Sequence, residues 1–229
     1  MTHMRSALTR LGAAAAVAAL LTSCSGGNDG GAGTNEPSGL SASQVCRGAF
    51  AEDAAATAAL KAVMGSGRFD DGLAKSEPDK ALEELRKASP EQWAESYRPE
   101  PRRYCWFWPV EDGGSEKDLQ VQLSPAKSAP GLLPEHAKKV TSYASGLQAY
   151  ASSGFSRVYF SCRMKSPAHE IVVETVVRGP AGIPDADPDQ RTRLITLANA
   201  AARQVSKELG CEKDGLATGT PSPTAHPTS

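Results

Sequence analysis

The sequence predicts an α+β domain: a sheet of about four antiparallel strands, with N-terminal helices and a long C-terminal helix packed on it. Two observations lead to this fold class. Helical patterns come first, strand-like segments follow, and one long amphipathic helix ends the series. The residues with this pattern, 41–212, also have the length of one domain with a single core.

The first part of the domain is predicted to be helical. Ser41 and Gln44 form a capping box, and the alanine-rich run that follows ends at Gly65. A second helix is expected with Pro78 in its first turn, and a short third helix carries Trp93.

Four segments rich in aromatic and β-branched residues predict the strands: RRYCWFWPV, DLQVQLS, SRVYFSCRM and HEIVVETVVRG. In the second segment, Leu119, Val121 and Leu123 alternate with polar residues, which predicts one buried and one wet face. The long polar run between the second and third strands, 124–154, shows only a turn of helix near His136.

The C-terminal helix has the clearest pattern. Asp187 is its N-cap, Pro188 its first helical residue and Gly210 its C-terminal stop. Apolar residues at helical spacing lie between them: Leu194, Leu197, Ala198, Ala201, Val205 and Leu209.

The N-terminus is typical of a bacterial targeting segment. Arg5 and Arg10 flank the start of an apolar run that is too short to span a bilayer, and the sequence LTSC, ending at Cys24, resembles the lipobox of bacterial lipoproteins. We predict a signal peptide over 1–23 and a lipid on Cys24 that holds the protein on the outer face of the cytoplasmic membrane. The alternative is an ordinary secretory signal in which Cys24 is incidental.

Both flanks of the domain lack apolar periodicity. Residues 24–40 are rich in Gly, Ser and Asn and predict a flexible tether after the lipidated cysteine. Residues 213–229 are rich in Pro, Thr and Ser and predict a disordered tail.

Four further cysteines lie in the domain, and an even number outside the cytoplasm predicts two disulfides. Cys105 and Cys162 lie in strand segments, whereas Cys46 and Cys211 lie in or next to helices. We therefore predict the pairs Cys105–Cys162 and Cys46–Cys211. Zinc is the alternative, although cysteines so far apart lack a CxxC pair.

The arrangement SQVCRGAF, AAATAALKAVMGSGRF, YFSCRM and ANAAARQVSKELGC resembles a group of short secreted lipoproteins of actinomycete bacteria. The resemblance covers most of the folded region, through a lipobox, a cysteine in the first helix, a YF-x-C strand and a KELGC helix end. It implies an α+β domain with two disulfides outside the cytoplasmic membrane. The group has no assigned activity, so the resemblance implies no site residue.

Charge and motifs argue against several classes of function. Without residues 1–23 the chain has 23 basic and 26 acidic side chains, and this net charge near −3 argues against a nucleic acid partner. GxSxG, HExxH and Walker motifs do not occur, and a hydrolase would have to join His136 or His169 to a nucleophile or an acid in three dimensions. Asp185, Asp187 and Asp189 alternate as in a calcium loop but lack its distal Glu, so no metal or other cofactor is predicted.

The strand patterns also predict a row of outward-facing side chains. If Cys105 and Cys162 both point into the core, the opposite parity places these residues on the other face: Tyr104, Trp106, Trp108, Tyr159, Arg102 and Arg157. Aromatic rings flanked by arginine are typical of binding surfaces. Two alternatives remain open: the 124–154 run or the Trp93 helix covers this face, or a bulge near Cys105 reverses the alternation.

We therefore expect a binding or interaction module of the cell envelope, whose partner is an envelope protein or a cell-wall ligand bound around Trp106. The alternatives are an extracellular hydrolase with an unrecognised site and an accessory lipoprotein without a ligand.

Overall fold

The structure is a computed structural model of the chain, and it describes residues 38–225 except for 73–74, 95–96, 113–116, 167 and 183–186. The predicted signal peptide, Cys24, most of the tether and Asp185 lie outside the described residues.

The described residues form four α-helices and seven strands. The helices are α1 (Ala54–Met64), α2 (Pro78–Lys87), α3 (Pro134–Ala137) and α4 (Pro188–Leu209). The strands are β1 (Phe69–Asp71), β2 (Arg102–Pro109), β3 (Leu119–Ala126), β4 (Thr141–Tyr143), β5 (Gln148–Ala151), β6 (Phe155–Lys165) and β7 (Ala168–Arg178). In place of the predicted helix around Trp93 there is one 3-10 turn, Pro90–Gln92.

Within the described residues the strands form one seven-stranded antiparallel sheet in the order β1-β2-β3-β7-β6-β5-β4. The prediction of about four strands is therefore wrong. The four predicted segments are β2, β3, β6 and β7, and the sheet adds β1, β4 and β5. These three strands have only three or four residues each, too few to show an alternating pattern, and they are strands because a longer neighbour pairs with them.

Helix α4 packs on one face of the sheet, which we call the inner face; the opposite face is the outer face. Its N-cap Asp187 accepts a hydrogen bond from the backbone N–H of Asp189 at 2.9 Å, and Gly210 ends it with a φ of 69°. The helix is joined to the inner face by a buried hydrogen bond from Ser156 Oγ on β6 to the carbonyl of Leu194, 2.7 Å long. The core therefore lies between α4 and the sheet, and α1 and α2 extend it.

The predicted first helix is interrupted. The capping box forms, with Ser41 N–H donating to Gln44 Oε1 at 2.8 Å, but no α-helix continues from it. Cys46 and Arg47 have φ values of 48° and 57°, in the left-handed region, and this backbone conformation prevents the chain from continuing as an α-helix. Helix α1 begins only after a second N-cap, Asp53.

Strand β2 contains a bulge. Arg103 pairs with Gln122 and Cys105 with Val121, so Tyr104 is an extra residue without a partner on β3. Tyr104 and Cys105 are both buried, with exposed fractions of 0% and 6%. The open alternative of a bulge near Cys105 is thus confirmed, and it removes Tyr104 from the predicted outer row.

The structure has two disulfides, as predicted, but with different partners. Cys46 is bonded to Cys105 and Cys162 to Cys211, with Cα–Cα distances of 5.3 and 4.7 Å. The predicted pairs, Cys105–Cys162 and Cys46–Cys211, are wrong because β3 and β7 lie between β2 and β6. Three strand spacings separate β2 from β6 by about 14 Å, whereas a disulfide needs Cα atoms within about 7 Å.

The chain after α4 returns to the sheet, although the sequence predicted a disordered tail from residue 213. The buried amide of Asn199 on α4 donates to the carbonyls of Ala217 and Gly219, at 2.8 and 3.1 Å. Further along, Thr224 N–H donates to the carbonyl of Ser142 on β4 at 2.9 Å. The residues up to 225 thus cover the open edge of β4, where the strand offers unpaired backbone groups.

Candidate functional site

The six residues of the predicted binding row do not form one surface. Tyr104 lies on the inner side of the sheet, where its hydroxyl donates to Glu208 Oε1 of α4 at 3.3 Å. Arg102 is turned to the same side, and its Nε donates to Glu84 Oε2 of α2 at 2.7 Å. Tyr104 is buried and Arg102 is partly exposed beside α2, so neither side chain belongs to the predicted outer-facing row.

Trp106 and Trp108 lie on the outer face, but they are half-buried. Their rings meet edge to face with centroids 5.0 Å apart, and Trp106 Nε1 donates to Asp118 Oδ2 at 2.6 Å. The backbone at Gly72 lies against the Trp106 ring so closely that a Cβ there would be 2.5 Å from Cε3. Lys75 Nζ covers the ring at 4.3 Å from its centroid. The Trp106 ring, which the sequence predicted to be exposed, is therefore largely covered by other residues of the protein.

Arg157 and Tyr159 do come together, on the outer face of β6. Both contact Glu174 of β7: Tyr159 Oη donates to Glu174 Oε1 at 2.6 Å and Arg157 Nη1 donates to the same oxygen at 2.7 Å. The other oxygen, Glu174 Oε2, accepts from Ser124 Oγ of β3 at 2.7 Å. This cluster ties three strands together and holds the guanidinium in one place.

Burial and charge change the ionisation of this cluster. Burial raises the pKa of the Tyr159 phenol above its usual value, and the nearby Glu174 carboxylate raises it further. Burial by itself lowers the pKa of Arg157, but the charge of Glu174 and the hydrogen bond with Tyr159 raise it above the ordinary value. Arg157 therefore keeps its charge at any physiological pH, and Tyr159 stays protonated.

Arg157 also lines a cleft of about 790 Å³ at the edge of the outer face, which we call the basic cleft. The volume lies within the range of small-molecule sites. The cleft is bounded by the β5–β6 hairpin, the segment 132–140 and the first turn of α4. Five of its side chains are basic: His136, Lys138, Lys139, Arg157 and Arg191.

The β5–β6 hairpin places the aromatic part of the basic cleft. Tyr150 pairs directly with Arg157 across the two strands, so both side chains share the outer face with Phe155, two residues before Arg157. The rings of Tyr150 and Phe155 are perpendicular, with centroids 6.4 Å apart. The turn is tightened by Ser152, whose Oγ accepts from the backbone N–H of Phe155 at 3.3 Å. The Arg157 guanidinium lies 5.7 Å from the Phe155 ring centroid, so a cation and an apolar ring adjoin at the same point.

The other cations come from distant parts of the chain. Helix α3 and the residues after it place His136, Lys138 and Lys139 at the cleft, and all three are exposed. Arg191 projects from the start of α4 and donates from Nη1 to Thr141 Oγ1 of β4 at 3.2 Å. Four of the five basic side chains are lysine or arginine, and these supply the positive charge of the cleft.

The basic cleft has a positive charge although the whole chain has a formal net charge of −1. Among the described residues that line it there is no carboxylate. Glu174 neutralises part of the charge of Arg157 from outside the cleft, and no described carboxylate lies within salt-bridge distance of Lys138 or Lys139. The electrostatic field in the cleft therefore favours an anion.

Sequence reasoning named Arg157 and, for the hydrolase alternative, His136, but missed the other residues of this site. The closely spaced basic residues of HAKKV, 136–140, were the available signal. The aromatic pair gave a weaker signal, since Tyr150 lies in the run interpreted as polar, 124–154, and Phe155 directly follows that run. Nothing in the sequence links either group to Arg191, because that proximity depends on where α4 crosses the sheet.

A second, smaller cavity of about 320 Å³ adjoins the Arg157–Tyr159–Glu174 cluster. Residues 97–101 and 124–130 line it together with the outer face. Residues 127–130 of the 124–154 run thus border a cavity on the outer face, but Trp106 and Trp108 are not among its described lining residues. The remaining exposure of Arg157 is toward the basic cleft and this cavity.

Two further properties of the described residues bear on function. They contain no group of three or more His, Cys, Asp or Glu side chains placed to hold a metal ion. Of the helices they form, none has the length and apolar character needed to cross a membrane.

Comparison of the chain with models of protein families, with curated proteins and with solved structures finds no significant match in any of the three.

Proposed function

We propose that this protein is a binding module of the cell envelope and that the basic cleft is its ligand site, selective for anions. The observation that carries the proposal is the cluster of five basic side chains around one cavity, without a carboxylate among the described residues of its lining. Glu174 offsets part of the charge of Arg157, but no described carboxylate lies within salt-bridge distance of Lys138 or Lys139, and an anionic ligand relieves the repulsion among the positive charges of the cleft. The site replaces the expected surface around Trp106, whose ring is covered by Gly72 and Lys75.

The position of Arg157 supports the same proposal. Glu174, Tyr159 and the strand pairing hold its side chain before any ligand arrives, so little conformational entropy is lost on binding. The lysines of the segment 138–139 are exposed and adjust to the ligand. A fixed guanidinium together with movable ammonium groups suits a phosphate, sulfate or carboxylate.

The direct test is titration of the ¹⁵N-labelled protein with inorganic pyrophosphate, followed by amide chemical shifts. We expect the shifts to concentrate in the β5–β6 hairpin and in residues 136–141. Lys138→Gln/Lys139→Gln should weaken binding about tenfold, at about 0.7 kcal/mol for each exposed cation.

The matched control is Lys61→Gln/Lys80→Gln, which removes the same charge from α1 and α2, helices that do not line the basic cleft. It should leave the affinity within about twofold of the original protein. Equal weakening in both variants, or shifts centred on the Trp106 indole, would contradict the proposal.

We also propose that a lipid on Cys24 anchors the protein to the outer face of the cytoplasmic membrane. The support is the LTSC sequence after a short apolar run. Cys24→Ala should move the protein from the membrane fraction to the medium, because two or more acyl chains are lost. A variant that stays with the membranes would refute the anchor and leave the ligand proposal untouched.

One observation favours the hydrolase as a second candidate: His136 lines the basic cleft together with Ser152. Hydrolysis of 4-nitrophenyl phosphate or 4-nitrophenyl acetate, lost in His136→Gln, would support it. Ser152 Oγ is engaged with the backbone of its own turn, and His169 lies on β7 opposite Met164, outside the cleft lining, so binding is the better-supported function.

A further inference from the structure

The basic cleft is lined by apolar side chains as well as by cations. Tyr150 and Phe155 supply two rings from the hairpin, and Leu132 and Val140 supply aliphatic groups from the segment above it. A small inorganic anion would contact the cations and leave the half-buried Phe155, Leu132 and Val140 against water. The lining is therefore better matched by a ligand that has an apolar part.

The two kinds of group are arranged so that one ligand can contact both. Phe155 and Arg157 are two residues apart on the same face of β6, and the guanidinium lies 5.7 Å from the ring centroid. Tyr150, opposite Arg157, is only 6% exposed, so its ring is held in place by the fold. An anionic head on Arg157 would thus bring the adjoining carbons directly over the Phe155 ring.

We infer that the basic cleft takes an amphipathic anion, with a phosphate-like head on Arg157, Arg191 and the two lysines and an alkyl or aryl group on Phe155 and Tyr150. This inference rests on the proposed function, because it names the chemical class of the anion. Its specific content is that the apolar group contributes to affinity and that neither part binds as well alone.

The test is calorimetric titration of the purified protein with a series of ligands: inorganic phosphate, ethyl phosphate, butyl phosphate, hexyl phosphate and hexanol. Each methylene that enters the cleft should tighten binding about fourfold. Hexyl phosphate should bind best, and hexanol should bind more weakly because it lacks the anionic head.

Substitutions separate the two parts of the site. Phe155→Ala should weaken hexyl phosphate at least tenfold and leave inorganic phosphate unchanged, whereas Lys138→Gln/Lys139→Gln should weaken both. Leu147→Ala, which truncates an exposed leucine outside the cleft, is the matched apolar control. The ligand series on the unsubstituted protein gives the decision even if Phe155→Ala does not fold.

The outcomes distinguish the inference from the proposed function. Equal affinity across the phosphate series would overturn the amphipathic ligand and leave anion binding standing. Hexanol binding as tightly as hexyl phosphate, or no binding by any of the compounds, would overturn both.

Such a ligand has two possible sources, a membrane lipid or a free molecule. Flotation of the Cys24→Ala protein with phosphatidylcholine vesicles, with and without phosphatidic acid, distinguishes them. Flotation that needs phosphatidic acid and is reversed by hexyl phosphate supports the lipid source. Protein that stays in solution but binds hexyl phosphate supports the free molecule.

Discussion

Removal of the Cys162–Cys211 disulfide tests the covalent framework most directly. The bond closes a segment of 49 residues and joins Cys162 of β6 to Cys211, the second residue after α4. On the loop-entropy argument, a cross-link over this separation stabilises the fold by about 4 kcal/mol at 25 °C. Cys162→Ala/Cys211→Ala should therefore lower the free energy of unfolding by about this amount, without leaving a free thiol.

The two bonds also make a prediction about additivity. Cys46–Cys105 closes 59 residues, and the two loops do not overlap along the chain. Cys46→Ala/Cys105→Ala should consequently cost a similar amount, about 4 kcal/mol, and the effects should add. In the pairing predicted from the sequence the loops are nested, so opening the outer loop would change the effect of the inner bond.

The assay is urea unfolding of the two variants and the parent protein, followed by circular dichroism, with peptide mapping under non-reducing conditions. The parent should yield the peptide pairs containing Cys46 with Cys105 and Cys162 with Cys211. A linked peptide of Cys105 with Cys162 would refute the arrangement. So would an unfolding free energy unchanged within 1 kcal/mol in Cys162→Ala/Cys211→Ala, because the entropy argument predicts about four times that.

Three further predictions follow from other contacts. Asn199→Ala removes the buried amide that holds residues 217 and 219, so it should lower the free energy of unfolding by about 2–3 kcal/mol. It should also make the segment after residue 213 sensitive to limited proteolysis. The control Lys61→Ala, at an exposed position, should have neither effect. Glu174→Gln should lower the melting temperature by several degrees, because the partly buried Arg157 loses its counter-charge; an unchanged melting curve would show that this pair does not stabilise the fold. Burial raises the pKa of Tyr104 and of Tyr159 above the ordinary value near 10. Above about pH 10 the unfolded chain has therefore lost protons that the folded chain retains. The free energy of unfolding should then fall with rising pH, by about 1.4 kcal/mol per pH unit for each tyrosine. Burial also raises the pKa of Tyr150, so Tyr159→Phe should remove between a third and a half of the slope in urea unfolding above pH 10, and a slope unchanged by the substitution would contradict the burial argument.

The outer face shows why the predicted binding row was only partly right. The sequence prediction assumed that side chains alternate between the two faces along the whole of β2. The extra residue at Tyr104 reverses this alternation for the residues that precede it in the strand. Trp106 and Trp108 kept the predicted face, yet the ring of Trp106 is covered by Gly72 and Lys75, which lie more than thirty residues away in sequence. A strand pattern reports which face a side chain is on, and it does not report what lies over that face.

The basic cleft shows the same limit for a functional site. Its lysines, its rings and Arg191 belong to three segments, each of which is unremarkable as a sequence. They become one site because β5 and β6 form a hairpin at the edge of the sheet and α4 begins beside it.

The sequence by itself determined those features whose cause lies within a few residues. The caps of α4 at Asp187 and Gly210, the apolar stripe between them and the alternation of β3 depend on local hydrogen bonds and on side-chain periodicity. The even cysteine count likewise indicated two disulfides. Tertiary structure alone decided the number of strands, the partners of the cysteines and the gathering of cations around the cleft. These depend on strand order and register, which arise from pairing between segments far apart in the chain and are not encoded in any one of them.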